Sequence, residues 1–171
     1  MKKSKIKILL ITFLTVFTFT SCNNNDDDEG GASGGDEFLT AKVDGADFAA
    51  STSPATIIGA TITNGLLVVQ GGDNSGNTIS FQIFGYTGLG VYATADALTS
   101  TNSIRYITIS PSVATWDSSG VTSITGISPG TIEVTFDDGV TVEGTFSFEG
   151  YNAADMSTKN ITQGEFKAVL Q

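Results

Sequence analysis

From Phe38 to Leu170 the chain is built of short apolar–polar alternating runs separated by turn dipeptides, and no sustained apolar repeat of period 3.6 follows residue 38. That pattern excludes a helical bundle and a βαβ sheet, and it reads as antiparallel strands. Composition agrees. Threonine occurs 24 times and phenylalanine 11 times, while charged residues make up 15% of the chain. Thr, Val, Ile and Phe suit pleated, half-buried surfaces. The nearest helical candidate is the short stretch from Thr94 to Ser100.

Three hairpins can be registered by matching faces. Asp44-Gly45 fits a two-residue turn with both central residues left-handed. It sets Val43 against Ala46, Ala41 against Phe48 and Leu39 against Ala50, with Lys42 opposite Asp47 on the other face. Asn64-Gly65 does the same for Ile62 with Leu67 and Ala60 with Val69. The third hairpin joins Thr131–Phe136 to Val140–Tyr151. A three-residue loop, Asp137-Asp138-Gly139, matches its faces and pairs Phe136 with Val140 and Val134 with Val142. Glu133 then falls opposite Glu143, a like-charge pair that is either solvated or bridged by a cation or a basic group such as Lys159. In the same run Phe146 and Phe148 take the apolar face and Thr145 the polar one. Further strands are expected at 78–84, 90–94, 103–109, 121–127 and 160–170. The expectation is a single all-β domain over 38–171, an antiparallel β-sandwich or partly closed barrel of roughly ten strands.

The segment before the domain has another character. Lys2, Lys3, Lys5 and Lys7 precede an apolar stretch from Ile8 to Phe19, which is too short for a typical transmembrane helix. Thr20 and Ser21 then precede Cys22, the only cysteine. Residues 1–21 read as a secretory signal. Its end resembles a bacterial lipobox, with Phe19 where leucine is usual; this implies cleavage after Ser21 and lipidation of Cys22. Removing the signal takes away four of the 8 cations and none of the 18 acids. Asn23 to Glu37 contains no apolar residue larger than Ala32, and residues 22–37 read as a lipidated cysteine and flexible acidic tether. As a coil its 15 residues would reach about 20 Å. Asp26, Asp27, Asp28 and Glu29 serve as a solvated spacer, or resemble the acidic export signal of surface-exposed lipoproteins in the Bacteroidota.

Both ends of the domain also carry a resemblance. Val142-Glu143-Gly144-Thr145-Phe146-Ser147-Phe148, followed by Ile161-Thr162-Gln163-Gly164-Glu165-Phe166, is similar to the "GTFSF … ITxGxF" ending of uncharacterised Bacteroidota cell-envelope lipoproteins. Ala41-Lys42-Val43-Asp44-Gly45 with the later aromatic Phe48 resembles the opening of their domains. Residues 51–130 match nothing familiar. The resemblance implies an envelope location and a β domain, and no chemistry.

Residue types exclude several functions. The chain has no histidine, which removes Ser-His-Asp and Cys-His catalysis. Zinc sites built from Cys and His are absent for the same reason. A pI near 4.1 argues against binding nucleic acid through its phosphates. No cofactor, no metal and no enzymatic activity are expected. Gly31-Ala32-Ser33-Gly34-Gly35 has the form of a nucleophile elbow, but lies in the tether of a chain without histidine. Gly88-Leu89-Gly90-Val91-Tyr92-Ala93 has the form of a dinucleotide loop, but reads as a turn into a strand. Asp73 to Asn77 carries oxygen ligands without the spacing of a calcium loop. Trp116, with Tyr86, Tyr92, Tyr106 and Tyr151, offers aromatic surface that serves a core or stacks on sugars. Asn160-Ile161-Thr162 fits a glycosylation acceptor and reads as strand.

The expected protein is thus an outer-membrane lipoprotein, held to the membrane by its N-terminal lipid and facing the exterior, that acts as a binding or structural module with an unknown ligand, a glycan or a protein partner being left open. The alternative is a glycan- or small-ligand-binding accessory protein of a nutrient-uptake system. Candidate ion or ligand contacts are Glu133, Glu143 and Trp116.

Overall fold

The computed structural model describes residues 37–52, 58–94, 101–119 and 125–171, all within the compact unit Ser33–Gln171. The chain is nearly all β. Its strands are β1 (Phe38–Val43), β2 (Ala46–Ala49), β3 (Gly59–Thr63), β4 (Leu66–Gly72), β5 (Thr78–Phe84), β6 (Gly90–Ala93), β7 (Ser103–Thr108), β8 (Ala114–Asp117), β9 (Thr131–Asp137), β10 (Thr141–Tyr151) and β11 (Thr158–Val169). They form one antiparallel sheet in the order β2-β1-β11-β10-β8-β7-β5-β4-β3, and β9 pairs with β10 and β6 beside that path. The sheet curls on itself as a half-barrel. At the seam Ala60 bridges Leu170 in parallel, and the Gln171 N–H donates to Ala60 O at 2.9 Å. Of the two architectures the alternation allows, the partly closed barrel is the one formed.

Alternation builds this shape directly. Leu39, Ala41, Leu67, Val69, Ile79, Phe81, Ile83, Val142, Phe146 and Phe148 turn into the curl and are buried, while their chain neighbours face out. Three phenylalanines meet at its centre: the Phe81 ring centroid lies 4.9 Å from that of Phe166 and 5.9 Å from that of Phe146. The first two hairpins take the expected registers. Asp44-Gly45 and Asn64-Gly65 hold positive φ at both turn positions, which is the geometry that lets a two-residue loop follow the twist of its strands.

The third hairpin differs from expectation. The Asp138 carboxylate accepts the N–H groups of Val140 and Thr141, which stretches the tip and pairs Val142 with Asp137 instead of Val134. A bulge then restores the matching of faces, two residues away from the expected register. Glu143 pairs with Phe136 and Gly144 with Val134, leaving Thr135 as the extra residue with its hydroxyl on Glu143 O. Phe136 is therefore 43% exposed, and Asp137 turns inward, where its carboxylate accepts the Tyr86 phenol at 2.6 Å. Gly139 is left-handed, as the turn requires.

β8 was not anticipated. Most of the expected strand at 121–127 lies outside the described residues, and its described end, Thr125–Ile127, is not strand. Of Thr94 to Ser100 only Thr94 is described; it is buried, and its hydroxyl accepts the Gly130 N–H.

Candidate ligand-binding face

The two motifs that carried the resemblance cross each other. Gly144-Thr145-Phe146 on β10 runs antiparallel to Gly164-Glu165-Phe166 on β11, so Gly144 sits opposite Phe166, Thr145 opposite Glu165, and Phe146 opposite Gly164. Each ring lies over the facing glycine. A Cβ on Gly144 would stand 2.9 Å from the Phe166 ring and 2.0 Å from Glu133 O; one on Gly164 would stand 2.6 Å from the Phe146 ring and 2.5 Å from its carbonyl oxygen. Glycine is needed on the inner side of this crossing because no other residue leaves room for the ring.

The outer side carries the polar residues. Register places Thr40, Glu165, Thr145, Glu133 and Val91 side by side across β1, β11, β10, β9 and β6. Beside this row lies that of Ser147, Thr131 and Ala93. Between the pairs Phe146–Gly164 and Phe148–Ile161, β11 holds one extra residue. Within that bulge Gln163 is left-handed, an uncommon conformation for a residue with a Cβ, and its side chain is exposed. Two open grooves flank Gln163 and Glu165. One, of about 500 Å³, is lined by Thr131, Glu133, Thr145, Phe146, Ser147 and Gly164 as well as these two. The other, of about 360 Å³, is lined by Thr40, Lys42, Asp47, Phe48 and their neighbours.

Electrostatics single out two groups on this face. Every cation among the described residues is ion-paired: Lys42 with Asp47, Arg105 with Asp117, Lys159 with Asp44, and Lys167 with Glu143. Asp73, Asp137, Asp138 and Asp155 accept N–H groups of their own turns. Glu37 and Glu149 accept those of Val169 and Ser128. Among the described residues, Glu133 and Glu165 are the carboxylates left without a hydrogen bond or ion pair, and both line the larger groove. In the described part of the chain, no three acidic or thiol groups gather closely enough to hold a metal ion.

The sequence-predicted contacts are not brought together. Glu133 faces Thr145, and Glu143 faces Phe136 on one side and Lys167 on the other, 3.1 Å from its ammonium. The expected Glu133–Glu143 juxtaposition does not form, because the lengthened tip shifts one strand past the other and the bulge at Thr135 takes back only part of that shift, leaving Glu133 opposite Thr145. Nor is Lys159 near either carboxylate: it pairs with Asp44 and stands 5.0 Å from the centre of the Trp116 ring. The Lys159 ammonium, followed by the Asn160 N–H, holds the Asp44 carboxyl below its usual range. Trp116 is 8% exposed, packs against Tyr106 and donates its indole N–H to the Ser157 hydroxyl. Burial first, then Asp137, pushes the Tyr86 phenol well above its ordinary value. Asp73 binds the Ser75 and Asn77 backbone and the Asn77 amide, a self-contained turn. Gly88 to Ala93 is the turn into β6, with the Tyr92 hydroxyl donating to Gly88 O. Cys22, Asp26, Asp27, Asp28, Glu29 and the tether glycines lie outside the described residues.

Sequence reasoning missed Glu165 and Gln163 as face residues. The signal was available in the two glycine–x–phenylalanine triplets: pairing them antiparallel puts Thr145 against Glu165 on the side the rings leave. Fold and face together define an all-β half-barrel with an apolar interior and a polar, grooved outer sheet. The domain-of-unknown-function family DUF6252 matches residues 36–170, and the chain belongs to it. No curated protein and no solved structure matches the chain.

Proposed function

We propose that this protein is an outer-membrane lipoprotein, anchored by acyl chains on Cys22 and facing the exterior, that works as a binding module and not as an enzyme. Its ligand face is the outer surface of β1, β11, β10, β9 and β6. The observation that carries the binding role is the pair Glu133 and Glu165. In a domain where the other described carboxylates have partners, these two are unpartnered and share a groove with Thr131, Thr145, Ser147 and Gln163. Exposed carboxylates beside hydroxyl and amide groups are the groups that orient a cationic or polyhydroxyl ligand.

Anchoring is supported by the cationic, apolar and small-residue succession that ends at the single cysteine. Each buried CH₂ of an acyl chain contributes roughly 0.8 kcal/mol, so two or three chains hold stably. The acidic run Asp26 to Glu29 supports surface display. Feeding expressing cells a clickable fatty acid tests the anchor: wild type takes up label and Cys22→Ser does not, and an unlabelled wild type sinks the reading. Replacing Asp26, Asp27, Asp28 and Glu29 with Ala is expected to reduce access to external protease; equal access would reduce the run to a spacer.

The second reading, a glycan-binding accessory protein of an uptake system, is favoured by the hydroxyl and amide lining of the same groove. Thermal melts with calcium or short oligosaccharides separate the two ligand classes. Stabilisation of wild type that Glu133→Gln loses identifies the class, and a melt that no addition moves counts against the face.

A further inference from the structure

The sheet ends at β2, at β3 and at β6, and these edges are protected differently. β2 carries the exposed Asp47, paired with Lys42 of β1. At β3 the chain closes the seam, with the Gln171 N–H on Ala60 O. β6 pairs with β9 alone, and among the described residues it has neither a charge nor a covering strand. From Gly85 to Thr94 no residue is charged. Unpaired N–H and C=O groups template a further strand, so edges are ordinarily blunted by charge, proline, a bulge or a covering segment.

One bond fixes which way the β6 backbone points. The Thr94 N–H donates to Gly130 O at 2.8 Å, so Thr94 and, two residues back, Tyr92 turn their backbone groups toward β9. Val91 turns its N–H and C=O the other way, off the edge. The Ala93 carbonyl accepts the Asn102 side-chain amide, which closes that end and leaves Val91 at the centre of the open stretch. The turn before it is held in place. The Tyr92 hydroxyl donates to Gly88 O at 2.7 Å and accepts the Thr87 N–H at 3.3 Å. An edge already in strand conformation loses little freedom when it pairs.

Charge says what fits. Leu89, Val91 and Ala93 are exposed, and Val91 lies between the open edge and Glu133. Glu133 has no partner among the described residues, and the described cations are all engaged elsewhere. A strand added to β6 would set one residue opposite Val91 in the same row, two strand spacings or about 10 Å from Glu133. An extended lysine or arginine and the glutamate cover that distance together, with the cation's stem lying along Val91. A second copy of this chain supplies no such group: it has 18 acids against 8 cations, and its own β6 is uncharged with Glu133 behind it.

We propose that the open edge of β6 takes an extended basic segment of a partner protein as an added antiparallel strand, with the partner's backbone bonded to Val91 and its lysine or arginine reaching over Val91 to Glu133. Main-chain bonds supply affinity and the alternate side chains supply specificity. The proposal rests on the reading of Glu133 as a ligand contact and names the partner that contact serves.

The probe is a short capped peptide alternating lysine with valine, added to the full chain in detergent. A residue opposite Val91 exchanges both backbone bonds with it, so the lysine amides face β6 and the valine amides face away. The expected result is binding that slows exchange of the Val91 amide severalfold. N-methylation of the lysine amides abolishes it and N-methylation of the valine amides spares it. Glu133→Gln weakens it severalfold, and glutamate in place of lysine in the peptide removes it. Equal binding of the two methylated peptides overturns the added strand and leaves the groove standing, as does absence of peptide binding in protein whose melt calcium or an oligosaccharide still shifts through Glu133. Affinity unchanged by Glu133→Gln overturns the basic partner. A Val91 amide already protected in peptide-free protein that sediments as a dimer gives the edge to a second copy and overturns the proposal. No binding of any peptide, with a melt that no addition moves, overturns the edge and the groove together.

Discussion

The inner and outer sides of the β10–β11 crossing are made from the same six residues and do opposite work. Inside, Gly144 and Gly164 exist to admit the Phe166 and Phe146 rings, and no Cβ fits at either. Outside, Thr145 and Glu165 face solvent, and Glu165 has no partner. The comparison shows why motifs shared between sequences need not mark a site. Glycine and phenylalanine in these triplets satisfy packing, and the residue between them is free to serve a ligand.

The largest effects are expected on the inner side. Phe166→Ala and Phe146→Ala each remove a buried ring from the Phe81 cluster, and such changes typically cost about 3–5 kcal/mol. That is a large share of the stability of a domain this size, so either variant is expected to unfold or nearly unfold, as read by denaturant midpoint. A midpoint that barely moves for Phe146→Ala would mean that the faces are assigned wrongly. Gly144→Ala follows. Overpacking costs about 1–3 kcal/mol and occasionally more, and here backbone oxygen as well as a ring must give way.

Smaller effects are expected at the half-exposed ion pairs. Lys167→Met breaks the pair with Glu143 on the outer side, and such pairs contribute about 0.2–1 kcal/mol. Asp44 is better held, and its folded carboxyl titrates below the unfolded one. Its contribution is therefore complete above the ordinary aspartate range and lost as pH falls through the lower folded value. Asp44→Asn is expected to flatten that part of the acid limb in a stability–pH profile; an unchanged limb would remove Asp44 from the account. Thr145→Ala, at the centre of the outer row, is expected to stay within about 0.5 kcal/mol of wild type.

The parts of this architecture legible in sequence were the local ones. Asp44-Gly45 and Asn64-Gly65 fix register because both residues of each turn tolerate positive φ, and alternation then assigns every face down the strands. The third hairpin carried a turn signal too, but the Asp138 carboxylate lengthens its tip and Thr135 absorbs the offset; neither leaves a mark in hydrophobic alternation. Alternation alone therefore sends Phe136 to the inner face and sets Glu143 against Glu133, where the structure has Phe136 exposed and Glu143 on Lys167. β8 is four residues, and although Ser110-Pro111 before it and Ser119-Gly120 after it are turn signals, Ala114-Thr115-Trp116-Asp117 is too short and too polar to show alternation. The candidate face was half legible. Glu133 was picked out, though for a neighbour it does not have. Glu165 and Gln163 depend on which strands lie side by side and on a bulge, both settled by long-range pairing.

Glu165 is the chain neighbour of Gly164 and shares its backbone, yet the two are assigned opposite roles. Denaturant midpoints of Gly164→Ala and Glu165→Gln, measured side by side, test that division most directly. The expected result is a sharply lowered midpoint for Gly164→Ala, whose Cβ would meet the Phe146 ring and carbonyl, and an unchanged or raised midpoint for Glu165→Gln, which removes an unpartnered charge. A midpoint for Glu165→Gln that falls as far as that of Gly164→Ala would show that the outer row holds the fold together, and would contradict its assignment as a free binding face.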